Sequence, residues 1–273
     1  MAKYRLLREN LSAGGRFTFT PAPFAESDLI QQIHDPKYVQ SFADGSIDPK
    51  IIRRIGFPWS EGLVHRTLAS VGGTLSATAD ALQHGWGGTL AGGTHHAFRN
   101  EGAGFCVFND IAVAIAAHKE RLKRVAVLDL DVHQGDGTAK IFEDDPDVLT
   151  VSVHGRDNFP FRKQTSGIDI ALPDGTTDAA YLSVLQEVLP QVAAFAPEAI
   201  FYQSGVDALH TDKLGRLALT HRGLAERDRA VFELVRELTV PCVVTLGGGY
   251  SDPIAATVEA HANTFRLAAD VLR

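Results

Sequence analysis

Apolar residues recur along the chain with two different periods, and these periods predict where strands and helices lie. Continuous runs of mostly aliphatic residues predict buried strands at 87–94, 125–130, 148–153, 198–203 and 240–246. Apolar residues with helical spacing predict helices at 62–85, 109–121, 177–195, 220–238 and 253–271. The first 60 residues carry turn signals, and we expect loops around short helices there.

Strands and helices that alternate in this way are typical of a parallel sheet covered by helices on both faces. The chain has 273 residues, 45% of them hydrophobic, which is enough for one large core. No linker, low-complexity run or internal repeat divides the sequence. We therefore expect one α/β domain over residues 1–273, a three-layer sandwich with a mostly parallel central sheet.

Polar residues follow four of the predicted strands at the point where each strand ends. Asp129, Asp131 and His133 alternate at the end of strand 125–130, so their side chains project to the same face. The ends of three other strands carry His95 and His96, Asp207, and Tyr250. Because the carboxyl ends of parallel strands share one edge of a sheet, we expect these residues to converge.

The residue types at these strand ends indicate a metal site. Burying two carboxylates and an imidazole together is unfavourable unless a positive charge lies among them. Asp131 and His133 would supply two ligands, and Asp207 is the best third ligand. Two carboxylates, one imidazole and an open position for water fit a catalytic Zn²⁺ site, and Fe²⁺ also suits this set. Asp129 would orient a neighbouring histidine instead of binding the metal.

A metal-activated water also needs groups that move protons, and two further motifs could supply them. The His95–His96 pair could act as acid and base, and Tyr250, after three glycines, could stabilise an oxyanion. Each feature has a simpler interpretation, since histidine pairs are often structural and Gly247–Tyr250 could be a plain turn or a phosphate cradle. The glycine run lacks the spacing and the lysine of a P-loop. The four features together favour a metal enzyme.

Net charge and cysteine content bear on the kind of ligand and on the cellular compartment of the protein. The net charge of −7 argues against nucleic acid as the main ligand and is compatible with basic peptides or polyamines. No apolar run of about 18 residues predicts a membrane span. The charged N-terminus lacks a signal-peptide core, and Cys106 and Cys242 form no C-x-x-C motif. We therefore expect a cytoplasmic protein, and nothing in the sequence indicates its oligomeric state.

Five motifs resemble the histone deacetylase superfamily in their order and spacing. They are Gly93–Ala97, Gly104–Asp110, Asp129–Gly137, Gln203–Asp207 and Gly247–Tyr250. The resemblance runs from about His34 to the C-terminus and is closest to the class IV branch and its bacterial relatives. It implies the arginase–deacetylase fold, with about eight sheet strands, and hydrolysis of an amide on an acylated amine, usually Nε-acyl-lysine.

The resemblance also implies a role for each motif residue. The metal ligands would be Asp131, His133 and Asp207, and the dyad of His95 and His96 would be supported by Asp129 and Asp136. His96 would act as the general base, and Tyr250 would hold the oxyanion. The tunnel for the aliphatic chain would be lined by Gly104, Phe105, Phe159 and Leu214. A structural K⁺ would use the backbone of Asp129, Asp131, His133 and Val153, with the Ser152 hydroxyl.

The sequence departs from the family pattern at two places. Family members usually begin with another strand and loop ahead of the segment resembling residues 3–7, so we expect an altered sheet edge and back wall. The carboxylate that grips the substrate backbone in some lysine deacetylases has no match. Acetylpolyamines or other small acylated amines are therefore an alternative substrate class, and long fatty acyl-lysine is another.

Two further alternatives rank lower. An arginase-like dimanganese hydrolase needs additional carboxylates at positions 135 and 205, and both positions are glycine. A non-catalytic binding module is disfavoured because every catalytic position of the motifs is filled.

Overall fold

A computed structural model describes residues 2–272, and within them strands and helices alternate as the sequence predicts. The strands are β1 (Trp86–Gly88), β2 (Val125–Asp129), β3 (Val148–Gly155), β4 (Ile168–Leu172), β5 (Ala199–Gln203) and β6 (Cys242–Thr245). The helices are α1 (Ala2–Ser12), α2 (Ser27–Gln31), α3 (Pro36–Asp44), α4 (Pro49–Ile55), α5 (Glu61–His84), α6 (Asp110–Ala117), α7 (Asp136–Ile141), α8 (Asp178–Phe195), α9 (His221–Leu238) and α10 (Ile254–Val271).

The strands form one sheet in the order β1-β6-β5-β2-β3-β4, and all neighbours are parallel. The predicted α/β fold with a parallel sheet is confirmed. Strand β2 lies in the interior of the sheet, so Asp129 pairs with Gln203 of β5 on one side and with Ser152 of β3 on the other. The carboxyl ends of β2 and β5 are therefore direct neighbours, which decides where the site forms.

The number of strands differs from the resemblance, which implies about eight, whereas the sheet in residues 2–272 has six. The N-terminal segment contributes no strand because its buried residues are spaced for a helix. Lys3, Leu7 and Leu11 recur every four residues and form the buried face of α1. This helix packs against α10 on one face of the sheet.

Two hydrophobic clusters, one on each face of the sheet, form the core. Ala126 and Leu128 of β2 point to one face and pack in the cluster that contains residues of α1, α8, α9 and α10. Val125 and Val127 point to the opposite face, towards residues of α3, α5 and α6. This alternation along one strand produces the three layers. No helix within the described residues is long and apolar enough to cross a membrane.

The capping residues also follow the sequence. The Asn109 side chain accepts a hydrogen bond from the backbone N–H of Ala112 at the start of α6, where the sequence predicts a helix to begin. The Thr220 hydroxyl accepts one from Gly223 at the start of α9. Strand β4 was not predicted, although Ile168, Ile170 and Leu172 alternate with more exposed residues, as expected for a strand at the sheet edge.

Leu128→Ala tests the central position of β2. Because the Leu128 side chain is fully buried, its truncation leaves a cavity, and we expect a loss of about 2–5 kcal/mol in the free energy of unfolding. Urea denaturation measures this loss. Ile254→Ala serves as the control at an exposed aliphatic position, where a change within about 0.5 kcal/mol is expected. Equal losses in both variants would contradict this account of the core.

Candidate active site

Two carboxylates and one imidazole meet where β2 and β5 end. Asp131 and His133 follow β2, and Asp207 follows β5. One ligand atom of each residue lies within 4.8 Å of the other two. The His133 Nδ1 atom is 3.0 Å from Asp131 Oδ1 and 3.1 Å from Asp207 Oδ2. The structure thus brings together the three residues that the sequence indicates as metal ligands.

Backbone donors hold both carboxylates in place. The Gly248 N–H donates to Asp131 Oδ2 at 2.7 Å, and the Val132 N–H donates to Asp207 Oδ1 at 2.9 Å. Each carboxylate therefore has one oxygen anchored by the backbone and its other oxygen turned to His133. Such preorganisation is what a site of fixed coordination geometry requires.

The electrostatics of this cluster favour a cation at its centre. Burial by itself lowers the pKa of His133, but hydrogen bonds with Asp131 and Asp207 outweigh burial and raise this pKa to about 10. Burial and the charge of Asp131 raise the pKa of Asp207 to about 6. Two carboxylate oxygens and an imidazole nitrogen form a donor set that suits Zn²⁺ or Fe²⁺. The residues present therefore fit such an ion.

Glycines leave the space that the cluster occupies. A Cβ atom at Gly248 would lie 1.8 Å from Asp207 Oδ2, and one at Gly205 would lie 2.1 Å from Asp131 Oδ2. At Gly135 a Cβ would lie 2.3 Å from Asp129 Oδ2. Positions 135 and 205 therefore have no room for the carboxylates that a dimanganese site needs.

A pair of buried histidines lies beside this cluster, each with its own carboxylate. His95 Nδ1 is 2.7 Å from Asp129 Oδ2, and His96 Nδ1 is 2.6 Å from Asp136 Oδ1. The two ring centroids are 4.1 Å apart, and the His96 ring is 6.0 Å from the ring of His133. These are the two histidine–carboxylate pairs that the family resemblance implies.

The two histidines of the dyad differ in their protonation. Burial acts to lower the pKa of His95, but the charge and hydrogen bond of Asp129 outweigh it and raise the pKa to about 9. Burial and the neighbouring charge of His95 lower the pKa of His96 to about 4. In the metal-free protein at neutral pH, these pKa values make His95 a cation and His96 a neutral base.

Tyr250 follows β6 on the glycine-rich loop and lines the same cavity as the dyad. Its backbone N–H donates to Asp212 Oδ2 at 2.6 Å. Burial, with Asp207 nearby, raises the pKa of the Tyr250 phenol, which stays a hydrogen-bond donor at neutral pH. Lys3 of α1 lies behind it, where Nζ donates to the Gly247 carbonyl at 3.1 Å and lies 5.0 Å from the Tyr250 ring centroid.

Five of these residues, His95, His96, Asp131, His133 and Tyr250, line one cavity of about 1100 Å³. The four predicted tunnel residues lie in its wall: Gly104, Phe105, Phe159 and Leu214. Phe159 meets the His96 ring edge-on with centroids 4.9 Å apart. A Cβ at Gly104, where φ is +52°, would lie 2.5 Å from His96 Cδ2, so only glycine allows this approach.

The cavity extends along α1 and α5. Its lining there contains charged residues of both helices, namely Lys3, Arg8, Arg66 and Asp80, as well as Tyr4 of α1. It also contains small and apolar residues, namely Phe19, Pro21, Ala22, Gly73, Ala77 and Leu90, of which Pro21 and Ala22 are exposed. Helix α1 thus lines part of the cavity.

The residues predicted to surround K⁺ lie on adjoining strand ends. Asp129 is in register with Ser152, whose hydroxyl is 3.0 Å from His154 Nδ1. Val153 follows on β3, and Asp131 and His133 follow on the β2 side. The fold therefore places the five residues in one region next to the Asp131–His133–Asp207 cluster.

Asp110 holds the loop directly before His95 and His96, and it was not predicted as a site residue. This buried carboxylate accepts hydrogen bonds from the backbone N–H groups of Gly93 and Thr94, at 2.9 Å and 2.7 Å, directly before His95. Gln203 adds a hydrogen bond from its side-chain amide to the Gly93 carbonyl at 2.8 Å. The sequence signal was present, since Asp110 ends one of the quoted motifs, but the motif alone does not reveal this contact.

Comparison with known proteins identifies the family. The histone deacetylase domain profile matches residues 2–265. An uncharacterized protein of Picosynechococcus sp. is 43% identical, covering 99% of this chain and 92% of that protein. Histone deacetylase 2 of Arabidopsis thaliana is 37% identical, covering 87% of this chain and 64% of that protein. The acetoin utilization protein AcuC of Bacillus subtilis is 37% identical, covering 67% and 51%.

The chain belongs to the histone deacetylase family. The resemblance to this superfamily and to its bacterial members is thereby confirmed. The chain spans 64% of the Arabidopsis protein and 51% of the Bacillus protein, so the match concerns a part of each.

The unequal protonation of the dyad can be measured directly. In chelator-treated protein, His95 is expected to titrate near pH 9 and His96 to stay neutral down to about pH 4. Ring ¹⁵N chemical shifts of labelled histidine, recorded against pH, report both. Asp129→Asn is the control, because loss of this charge should lower the His95 pKa. A wild-type His95 midpoint near the ordinary value of about 6.5 would contradict the assignment.

Proposed function

We propose that the protein is a metal-dependent deacylase that hydrolyses the amide of an acylated amine, with Nε-acyl-lysine as its substrate class. The chain would act as one catalytic domain. The observation that carries this proposal is the Asp131–His133–Asp207 cluster, of which Asp131 and His133 line the same cavity as Tyr250 and the two carboxylate-paired histidines, His95 and His96. Relatives named as histone deacetylases or a probable deacetylase support it.

In this proposal Asp131, His133 and Asp207 hold Zn²⁺, with Fe²⁺ as the other candidate. The bound ion would polarise the acyl carbonyl and lower the pKa of a water molecule towards about 7. The remaining chemistry falls to side chains of this chain. A structural K⁺ would lie among backbone oxygens of Asp129, Asp131, His133 and Val153 and the Ser152 hydroxyl. Cys106 and Cys242 are buried and unpaired, which suits the reducing cytoplasm.

The geometry suggests different tasks for the two histidines. Asp136 engages Nδ1 of His96, which leaves Nε2 as the basic atom that takes a proton from the attacking water. His95, held as a cation by Asp129, would stabilise the negative charge that develops beside it. The dyad then delivers a proton to the amine nitrogen as the C–N bond breaks, which yields a carboxylate and a free amine.

Tyr250 would donate its phenolic hydrogen bond to the oxygen of the acyl carbonyl. That oxygen gains negative charge as water adds, so the bond strengthens in the transition state. The contact between Lys3 and the Gly247 carbonyl supports the loop that carries Tyr250.

One observation favours a long acyl chain as well as acetyl. The cavity of about 1100 Å³ exceeds the roughly 300–1,000 Å³ of a typical small-molecule site. An acetyl group would fill a small part of it. The part of the cavity along α5 includes Gly73 and Ala77, which would suit methylene groups, together with the charged side chains of Arg66 and Asp80.

A mixed substrate panel tests the proposed activity. Zn²⁺-loaded protein is incubated with acetyl-lysine peptides, long-chain acyl-lysine peptides and acetylpolyamines, and products are measured by mass spectrometry. We expect turnover of the lysine peptides. Tyr250→Phe should lower kcat by roughly 10²–10³-fold, because it removes an oxyanion donor and keeps the ring. Turnover confined to acetylpolyamines would overturn the lysine assignment, and an unchanged kcat in Tyr250→Phe would overturn the role of the phenol.

His133→Ala tests the metal ligands without reference to activity. Because His133 Nδ1 is the atom on which both carboxylates converge, the variant should lose nearly all bound Zn²⁺ on dialysis, as measured by elemental analysis. His84→Ala, at the exposed end of α5, is the matched control and should keep the wild-type metal content. Full metal occupancy in His133→Ala would refute the ligand assignment.

A further inference from the structure

A buried arginine of α9 contacts the two chain segments that carry the Asp131–His133–Asp207 cluster. The Arg227 side chain is fully buried. Its Nη1 atom donates to the backbone carbonyl of Leu130 at 3.2 Å and to that of Gly205 at 2.7 Å. Leu130 directly precedes Asp131, and Gly205 lies two residues before Asp207. One guanidinium nitrogen thus joins the two segments on which the carboxylates sit.

These two carbonyls lie where the hydrogen bonding between β2 and β5 stops. The Leu130 N–H still donates to the Gln203 carbonyl at 3.1 Å, but beyond it the two segments bond to other neighbours, since Val132 accepts from Gly155 and Val206 donates to Gly248. Beyond Leu130, backbone hydrogen bonds between β2 and β5 no longer fix the distance between the segment that follows β2 and the one that follows β5. Buried carbonyls without donors are also costly. Arg227 supplies donors to both and spans the gap.

Arg227 is itself held by a second buried charge. Its Nε donates to Asp228 Oδ1 at 2.8 Å, and its Nη2 lies 2.7 Å from the same oxygen. Asp228 also accepts hydrogen bonds from the hydroxyl groups of Tyr202 on β5 and Thr264 on α10. The guanidinium is therefore fixed in orientation by groups from three elements of the fold.

A buried ion pair of this kind is poorly explained by stability alone. Replacing such a pair with apolar residues of similar volume is often neutral or stabilising. The pair therefore suggests a requirement beyond folding. Within residues 2–272, the backbone groups to which Arg227 donates are the two carbonyls beside the carboxylates.

We infer that Arg227, oriented by Asp228, is a positioning residue that sets the separation of Asp131 and Asp207 and thereby the metal affinity of the site. The inference rests on the proposed function, since it takes these carboxylates as metal ligands. Arg227 touches neither the metal ligands' side chains nor the substrate cavity. It acts through the backbone that presents the ligands.

The test measures zinc affinity and ligand geometry instead of turnover. Arg227→Lys keeps a positive charge beside Asp228 but loses the planar guanidinium, whose Nη1 donates to both carbonyls while Nε and Nη2 face Asp228. We expect its Zn²⁺ affinity, measured by competition with a chromogenic chelator, to fall roughly 10–100-fold, as for other outer-shell partners of metal ligands. The visible spectrum of the Co²⁺-loaded variant should also shift, because the ligand field depends on ligand spacing.

Phe232→Leu is the matched control for general destabilisation. Phe232 is buried on the same helix and packs edge-on against Tyr202, with ring centroids 5.7 Å apart. Its phenyl ring has no donor that could bond to the carbonyls of Leu130 and Gly205. It should lower the melting temperature while leaving Zn²⁺ affinity and the Co²⁺ spectrum as in wild type. An equal loss of affinity in this control would overturn the inference.

Thr264→Val keeps the inference testable if Arg227→Lys does not fold. It removes one donor from Asp228 at nearly constant volume, and we expect Zn²⁺ affinity to fall about threefold, the scale of one hydrogen bond. Unchanged affinity and an unchanged Co²⁺ spectrum in whichever of the two variants folds would overturn the inference. A wild-type protein that binds Zn²⁺ no better than His133→Ala would overturn the proposed function, and the inference with it.

Discussion

The burial of two carboxylates at neighbouring strand ends is the constraint on which the site depends. Asp131 and Asp207 repel each other and are cut off from water, so the fold must provide positive charge and hydrogen-bond donors around them. The backbone N–H groups of Gly248 and Val132 anchor one oxygen of each. His133 lies between the other two, where a divalent cation would also be bound. Glycines at 205 and 248 keep this space open.

The ionisable groups around this cluster differ in their charge. His95 is a cation because Asp129 accompanies it, whereas His96 beside it is kept neutral by burial and by that same cation. The two adjacent rings therefore differ in charge although both are buried and each is paired with a carboxylate. Behind the strand ends, Arg227 is balanced by Asp228 and is directed at backbone carbonyls. Each buried charge therefore has a partner that also determines its orientation.

The cavity of the candidate site is lined in part by the N-terminal helix. Helix α1 contributes Lys3 and Tyr4 to this lining, and Lys3 also donates to the Gly247 carbonyl in the loop before Tyr250. Phe105 and Leu214, which are both exposed, lie in the same lining. The cavity thus connects the strand ends with a segment of the chain that the five sequence motifs do not include.

The sequence by itself determined the strands of the interior and the helices that begin near residues 109 and 220, because apolar runs and side-chain alternation are local properties of a chain. It also indicated that Asp131, His133, Asp207, the histidine pair and Tyr250 follow strand ends. Only the tertiary structure decided that β5 lies beside β2, which brings Asp207 to Asp131. The contact of Lys3 with Gly247 and that of Arg227 with Leu130 were likewise invisible. Periodicity reports which side of an element is buried, but the partner across a buried face depends on how all elements pack together.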